Sequence, residues 1–236
     1  MLFSFNLLDS EFVARLYRSV IHDDRWKMYL EGLSMTLQIA IVACVIGVVL
    51  GIIIAMVKVA AKGSKNPLLR FAYFICTVYT TIIRGTPLMI QLLILYGIAL
   101  IPNGVIACFI GFGINSGAYI SETFRSGIQS VDAGQMEAAR SLGLSRWQAM
   151  RTVILPQAIK NVLPAIFNEF ITLIKETSVA GYIAVNDLTK MANAIKSRTY
   201  DSISLYLAAI VYLILTYILT QVLRMLERRF RKSDRN

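Results

Sequence analysis

Residues 32–57 form an uncharged run of 26 residues, and no other feature of the chain restricts its fold as strongly. In hydrocarbon the backbone has no water to bond, so such a run pairs its peptide groups within itself, as a helix. At about 1.5 Å per residue that helix is ~39 Å long, enough to cross a hydrocarbon core of roughly 30 Å with some tilt. Residues 202–223 are a second uncharged run, of 22 residues. With 56% hydrophobic and 16% charged residues, the composition is that of a membrane protein.

The middle of the chain is less direct. Residues 85–121 are 37 uncharged positions, too many for one span and slightly few for two. Ile101-Pro102-Asn103-Gly104 reads as a turn between them. Residues 88–100 alone would reach only about 20 Å and cannot cross. The second span must therefore start upstream and draw Arg84, Gly85, Thr86 and Pro87 into or near the inner leaflet. The third is expected from about 105 to 127, with Glu122 near its cytoplasmic end. Residues 156–184 are less apolar, interrupted by Lys160, Pro164, Glu169, Lys175 and Glu176. They read as a fourth span or, on composition alone, as a soluble amphipathic helix. A polar connector, 184–201, leads to the last span, 202–226.

Residues 1–31 carry five acidic and four basic residues and no apolar core of signal-peptide type. They read as a lead-in that is partly helical along the membrane surface, so that the first span is retained. Lys58, Lys62, Lys65 and Arg70 follow the first span, and Arg224, Arg228, Arg229, Arg231, Lys232 and Arg235 follow the last. The positive-inside rule places both stretches in the cytoplasm. The net charge of +10 is thus read as inner-leaflet anchoring, not nucleic-acid binding. Cys44, Cys76 and Cys108 lie in apolar stretches without CxxC spacing, as small hydrophobes rather than metal ligands. Gly47 and Gly51, four apart, form a small-xxx-small pair that lets another helix approach closely.

Between the apolar segments, residues 129–156 form a charged loop. Glu137 to Ser141 are good helix formers, Gly143 permits a break, and Ser145 is placed to cap a second short helix. Ala138 and Ala139 offer a flat surface to another protein, Glu137 can meet a basic group, and Pro156 suits the first turn of the next helix. The pattern Glu137-Ala138-Ala139, three residues, Gly143, nine residues, Val153, one residue, Leu155-Pro156 resembles the EAA loop of ABC importer permeases. One position departs: Val153 stands where that pattern has Ile. The resemblance implies a coupling helix that fits a cleft on an ATPase subunit.

A second resemblance narrows the class. Arg84-Gly85-Thr86-Pro87-Leu88 with Gln91, Ser116-Gly117-Ala118-Tyr119 with Glu122 and Arg125, and Asn168-Glu169-Phe170-Ile171 with Lys175-Glu176-Thr177-Ser178 look like the polar amino-acid branch of these permeases, the histidine/glutamine/arginine/cystine type. The likeness runs roughly from 32 to 226. It implies an all-α, polytopic protein of the bacterial cytoplasmic (inner) membrane. Five transmembrane helices would leave the amino terminus outside and the carboxyl terminus cytoplasmic. Residues 1–31 would be the lead-in, 32–226 the transmembrane domain and 227–236 a basic tail.

The implied partners are two ABC ATPase subunits, a second permease subunit (identical or not), an extracytoplasmic amino-acid-binding protein and the lipid bilayer, with no nucleic acid. The chain itself would be no enzyme and hold no cofactor or metal, ATP and Mg being bound by the ATPase subunits. It has no GxxxxGK[ST] loop of its own. The rival readings are a permease for another small polar solute, a non-ABC channel, or an intramembrane enzyme. With one His, His22, outside every span, and neither HExxH nor GxSxG, the enzyme has no support.

Intramembrane polar residues are costly and usually face a bundle interior or a water-filled path. Asn115, Tyr119 and Glu122 share a helical face on the third span, and Asn161, Pro164, Asn168, Thr172 and Lys175 form a stripe on the fourth. Together they offer donors for a carboxylate and acceptors for an ammonium, or serve as polar glue between helices. Pro164 is expected to free a carbonyl or kink its helix, as in transporters that open backbone to substrate at broken helices. Arg84, beside Gly85 and Pro87, is read first as holding helix ends together and second as approaching a carboxylate.

Overall fold

The computed structural model describes residues 10–62, 64–97 and 101–233, with side chains through residue 228. The first nine residues of the lead-in, Arg235, and the side chains of Arg229, Arg231 and Lys232 lie outside the described residues. All regular elements described are helical: α1 (Ser10–Val20), α2 (Arg25–Ala61), α3 (Pro67–Gly85), α4 (Leu88–Gly97), α5 (Gly104–Gln129), α6 (Ala133–Ser141), α7 (Arg146–Ala149), α8 (Leu155–Glu176), α9 (Leu188–Thr199) and α10 (Ile203–Ser233).

Small residues bring α2 and α5 together. Gly47, Gly51 and Ala55 on α2 are buried. A Cβ on Gly47 would lie 2.8 Å from Ser116 Oγ, and one on Gly51 2.6 Å from Ile120 Cγ2, so neither position has room for a side chain. The close approach anticipated for this glycine pair is made by α5. Around the crossing, Ile39, Ala43, Phe112, Leu173 and Ile174 form the main core. The glycines and alanines of the crossing allow dense helix contact in a solvent where apolar burial alone gives little attraction.

α3 and α4 meet at a bend of 106°. Thr86 is extended there (φ −122°, ψ 147°), as a residue before proline prefers. The turn leaves carbonyls at the end of α3 without helical partners. Gln91 supplies them, its Nε2 donating to Ile83 O (2.8 Å) and Thr86 O (3.1 Å). Asn103 then caps α5, accepting from the Val105 and Ile106 amides, and places the turn where residues 101–104 predict it. α8 runs through Pro164 as one helix, in which the proline has no N–H for the carbonyl four residues back, and the sharp bend of the bundle lies at Thr86-Pro87.

Among the described residues, three helices are long and apolar enough to cross a membrane, His22–Ala61, Gly104–Gln129 and Ile203–Arg228, and the bent α3–α4 pair makes a fourth if it is one span. On one side of the bundle α1 is tied to the α9–α10 corner by a bidentate pair, Arg15 Nε to Asp201 Oδ2 at 2.7 Å and Arg15 Nη2 to Asp201 Oδ1 at 2.9 Å. Hydrogen bonding to Arg15 holds the Asp201 carboxyl below the usual carboxylate range. Asp187, fully buried, caps α9 by accepting from Thr189 N (2.8 Å) and Lys190 N (3.2 Å). Burial pushes its carboxyl upward against those bonds.

Candidate functional site

The charged loop folds as two short helices joined by a tight turn. Asp132 caps α6 through Gly134 N. At its far end Leu144 N donates to Ala139 O (3.2 Å) and Gly143 N to Arg140 O (3.0 Å), while Gly143 sits at φ +84°. This is a Schellman stop, whose left-handed residue is glycine because a Cβ there is strained. Ser145 then opens α7 with a capping box: its Oγ accepts from Gln148 N (3.2 Å), and Gln148 Oε1 accepts from Ser145 N (2.8 Å). The helix, break and cap read from Glu137, Gly143 and Ser145 are all present.

Burial sorts the rest of the loop. Ala139, Ala149 and Ile154 are buried. The flat surface expected of Ala138 and Ala139 is therefore offered by Ala138 alone, with Glu137 exposed on the same helix. Sequence reasoning missed two outward side chains on either side of Gly143: Leu142, 84% exposed, and Trp147, 65% exposed. Large apolar groups held out on both flanks of a rigid turn are what a partner's cleft accepts. Their signal in the sequence was a leucine directly before the glycine and a tryptophan four residues after it, next to charged and polar neighbours.

A π-helix, Met150–Ile154, connects α7 to α8. Pro156 has no N–H to give the Thr152 carbonyl, and the Leu155 amide reaches back five residues to Met150 O. Leu155 and Pro156 form the first turn of α8. The Leu-Pro pair of the motif thus marks where the loop becomes a long helix.

Within the bundle, three helices meet at a charge network. Lys58 Nζ on α2 lies 2.6 Å from Glu122 Oε1 on α5 and donates to Thr80 Oγ1 on α3 at 2.8 Å. Arg125 Nε holds the other carboxylate oxygen at 2.8 Å. The Lys58 side chain is 5% exposed and that of Glu122 is 19%. Burying a lysine side chain is costly unless partners of this kind surround it. Nearby, the Arg84 guanidinium lies 5.2 Å over the Tyr119 ring, a cation–π contact. Asn115 is buried and donates to Gln91 Oε1 at 3.0 Å.

Two cavities flank this network. One, of about 1160 Å³, runs between α2, α3 and α5 and is lined by Lys58, Lys62, Arg70, Arg84, Glu122 and Arg125, with Gly85 at its margin. The other, of about 470 Å³, lies between α3, α5 and α8 and brings together Arg84, Tyr119, Glu122 and Asn161. Asn161 also donates to Ser130 Oγ. Of the sequence-read path residues, Tyr119 and Glu122 line the smaller cavity. Asn115 is turned to Gln91, and Asn168, Thr172 and Lys175 lie farther along α8. Asn168 and Lys175 are exposed, and the Thr172 hydroxyl donates to Asn168 O. Pro87 is at the bend and Pro164 is inside α8.

The family profile described as "Binding-protein-dependent transport system inner membrane component" matches residues 47–232. The chain belongs to this family. It is 37% identical over 211 residues to the arginine transport system permease protein ArtQ of Bacillus subtilis, covering 87% of this chain and 93% of that one. It is 40% identical to the putative glutamine transport system permease protein GlnP of Rickettsia bellii, covering 84% and 91%. To the histidine/lysine/arginine/ornithine permease HisM of Salmonella typhimurium it is 33% identical, covering 93% and 96%. Among solved structures, an amino acid ABC transporter crystallised with histidines superposes with a TM-score of 0.79 at 40% identity, covering 86% of this chain and 94% of that one. The inward-facing MetNI methionine ABC transporter gives 0.76 at 18% identity, covering 88% and 98%, a likeness of fold alone. For an inner-membrane transport component, a bundle of apolar helices with one rigid exposed loop is the expected division of labour. The chain is thus the membrane subunit of a transporter.

Proposed function

We propose that this chain is the permease subunit of a binding-protein-dependent ABC importer for a polar amino acid in a bacterial cytoplasmic membrane. Five spans carry it: α2, the bent α3–α4 pair, α5, α8 and α10, with the amino terminus outside and the carboxyl terminus inside. The α6–α7 loop docks on an ATPase subunit through Glu137, Ala138, Leu142 and Trp147. Gly143 sets the turn, and Leu155-Pro156 passes movement into α8. Two ATPase subunits serve a dimer of permeases and hold ATP and Mg. Substrate arrives from an extracytoplasmic binding protein.

The observation that carries this reading is the Schellman-terminated loop with Leu142 and Trp147 held outward. The relatives, named for arginine, glutamine and histidine transport, support a polar amino acid as cargo. Tyr119, Glu122, Arg84 and Asn161 around the smaller cavity offer ring, carboxylate, guanidinium and amide groups to a zwitterion. Asn115, Asn168, Thr172 and Lys175 extend the polar stripe along α5 and α8. Arg84, Gly85, Pro87 and Pro164 shape the helices around it.

The test is co-expression with the ATPase subunits. Leu142→Asp and Trp147→Asp should each abolish ATPase copurification and substrate uptake by proteoliposomes, with the permease still in the membrane. Undiminished copurification in both variants would remove the loop from the docking surface.

A further inference from the structure

The larger cavity is far more cationic than any zwitterion requires. Five basic side chains line it against one carboxylate, Glu122, and that carboxylate is already held by Lys58 and Arg125. Lys62, in the turn after α2, and Arg70, in the first turns of α3, have no carboxylate within salt-bridge reach among the described residues. Both are exposed, both line the cavity, and they flank the short turn by which the chain passes from the apolar run of α2 into α3. Beside them α3 presents Leu68, Phe71, Phe74 and Ile75, all exposed. A basic mouth next to an apolar ridge offers one surface to an anionic headgroup and another to its acyl chains.

We infer that this mouth binds a phosphate group between Lys62 and Arg70, that of an anionic lipid of the cytoplasmic leaflet or of soluble phosphate. Phosphate oxygens match the forked donors of arginine and the point charge of lysine. Basic pockets at the cytoplasmic ends of membrane helices suit such headgroups. The inference rests on the topology of the proposed function, which puts this end of α2 and α3 inside. The bound anion also offsets the surplus positive charge of the cavity without entering the α5–α8 side.

The experiment uses the whole transporter in vesicles of phosphatidylglycerol or of phosphatidylcholine, with retained lipid counted by native mass spectrometry. Lys62→Gln with Arg70→Gln should lower phosphatidylglycerol affinity about 25-fold, about fivefold for each basic side chain. Lys196→Gln with Arg198→Gln, on α9, should change nothing, and ATPase copurification should be normal in both. In a second arm, inorganic phosphate is titrated into phosphatidylcholine vesicles. Binding there with the same dependence on Lys62 and Arg70 assigns the site to soluble phosphate, and its absence assigns it to lipid. Equal phosphatidylglycerol retention by the two double variants, or displacement of the bound lipid by the transported amino acid, overturns the site. A failed topology shows separately, as an extracytoplasmic signal from a reporter fused after Asn236.

Discussion

Glu122→Gln keeps the shape of the side chain but removes the carboxylate that Lys58 and Arg125 both contact. The two single changes at this ion pair should differ in cost. Without Glu122 the buried Lys58 ammonium keeps only the Thr80 hydroxyl, and stranding a buried charge costs about 3–5 kcal/mol. Lys58→Met instead leaves Glu122 with Arg125 at 2.8 Å and partly in contact with solvent, so the loss should be nearer about 1–2 kcal/mol. In the double variant both charges of the pair are gone, and Arg125, 37% exposed in its side chain, still has Gln129. That protein should lie within about 1 kcal/mol of the parent, as apolar replacement of a buried pair often does. Denaturant unfolding in detergent, run as a double-mutant cycle, measures all three. If Lys58→Met costs as much as Glu122→Gln, or if the double loss is the sum of the singles, the pair is not the unit described.

At Gly143 no atom stands within 4 Å of the place a Cβ would take, so a substitution meets backbone strain rather than a clash. Gly143→Val should weaken ATPase affinity about five- to thirtyfold, the effect of roughly 1–2 kcal/mol of left-handed strain, whereas Gly143→Asn, which tolerates that conformation, should be milder. Equal loss in both would point to bulk at the interface. In a background lacking Cys44, Cys76 and Cys108, single cysteines at Tyr119 and Asn168 should react with small polar thiol reagents and be protected by substrate. Cysteines at Ile41 and Val45, and at the buried Asn115, should be inert, and labelling of the Asn115 position would refute its burial. Because Arg15 depresses the Asp201 carboxyl, its contribution to stability is complete above about pH 4 and lost as pH falls through the folded value. Acid titration of unfolding should show that limb, and Arg15→Met should flatten it.

What the sequence made legible was local. The uncharged run at 32–57, the turn at Asn103 and the helix-break-cap order of Glu137, Gly143 and Ser145 depend on neighbours in the chain, and each appears where its chemistry puts it. Lys58 was different. It reads as one more positive charge flanking a span, while its partner Glu122 is 64 residues away, and no periodicity links them. The same holds for Arg15 and Asp201, and for Asn115 and Gln91. Proline was ambiguous for a physical reason. Pro87 follows a residue in an extended conformation and ends a helix, whereas Pro164 is carried inside one, and a helical wheel cannot tell the two apart. Ala139 shows the same limit, since small size suits a partner's surface and a tight interior equally.

The π turn at Met150–Ile154 gives the motif spacing a further meaning. A π turn is an α-helix with one residue inserted, so removing a residue there would restore ordinary winding and still leave α8 intact. The wide turn holds five residues in about the rotation and rise that four take in an α-helix, so such a deletion would leave the helices on either side close to their present azimuth. Removing a residue from the α-helical turns beside it would instead swing everything before it by roughly 100° about the helix axis, Leu142 and Trp147 included. The π turn is therefore the one place where the spacing between Gly143 and Pro156 can change without re-aiming the exposed loop.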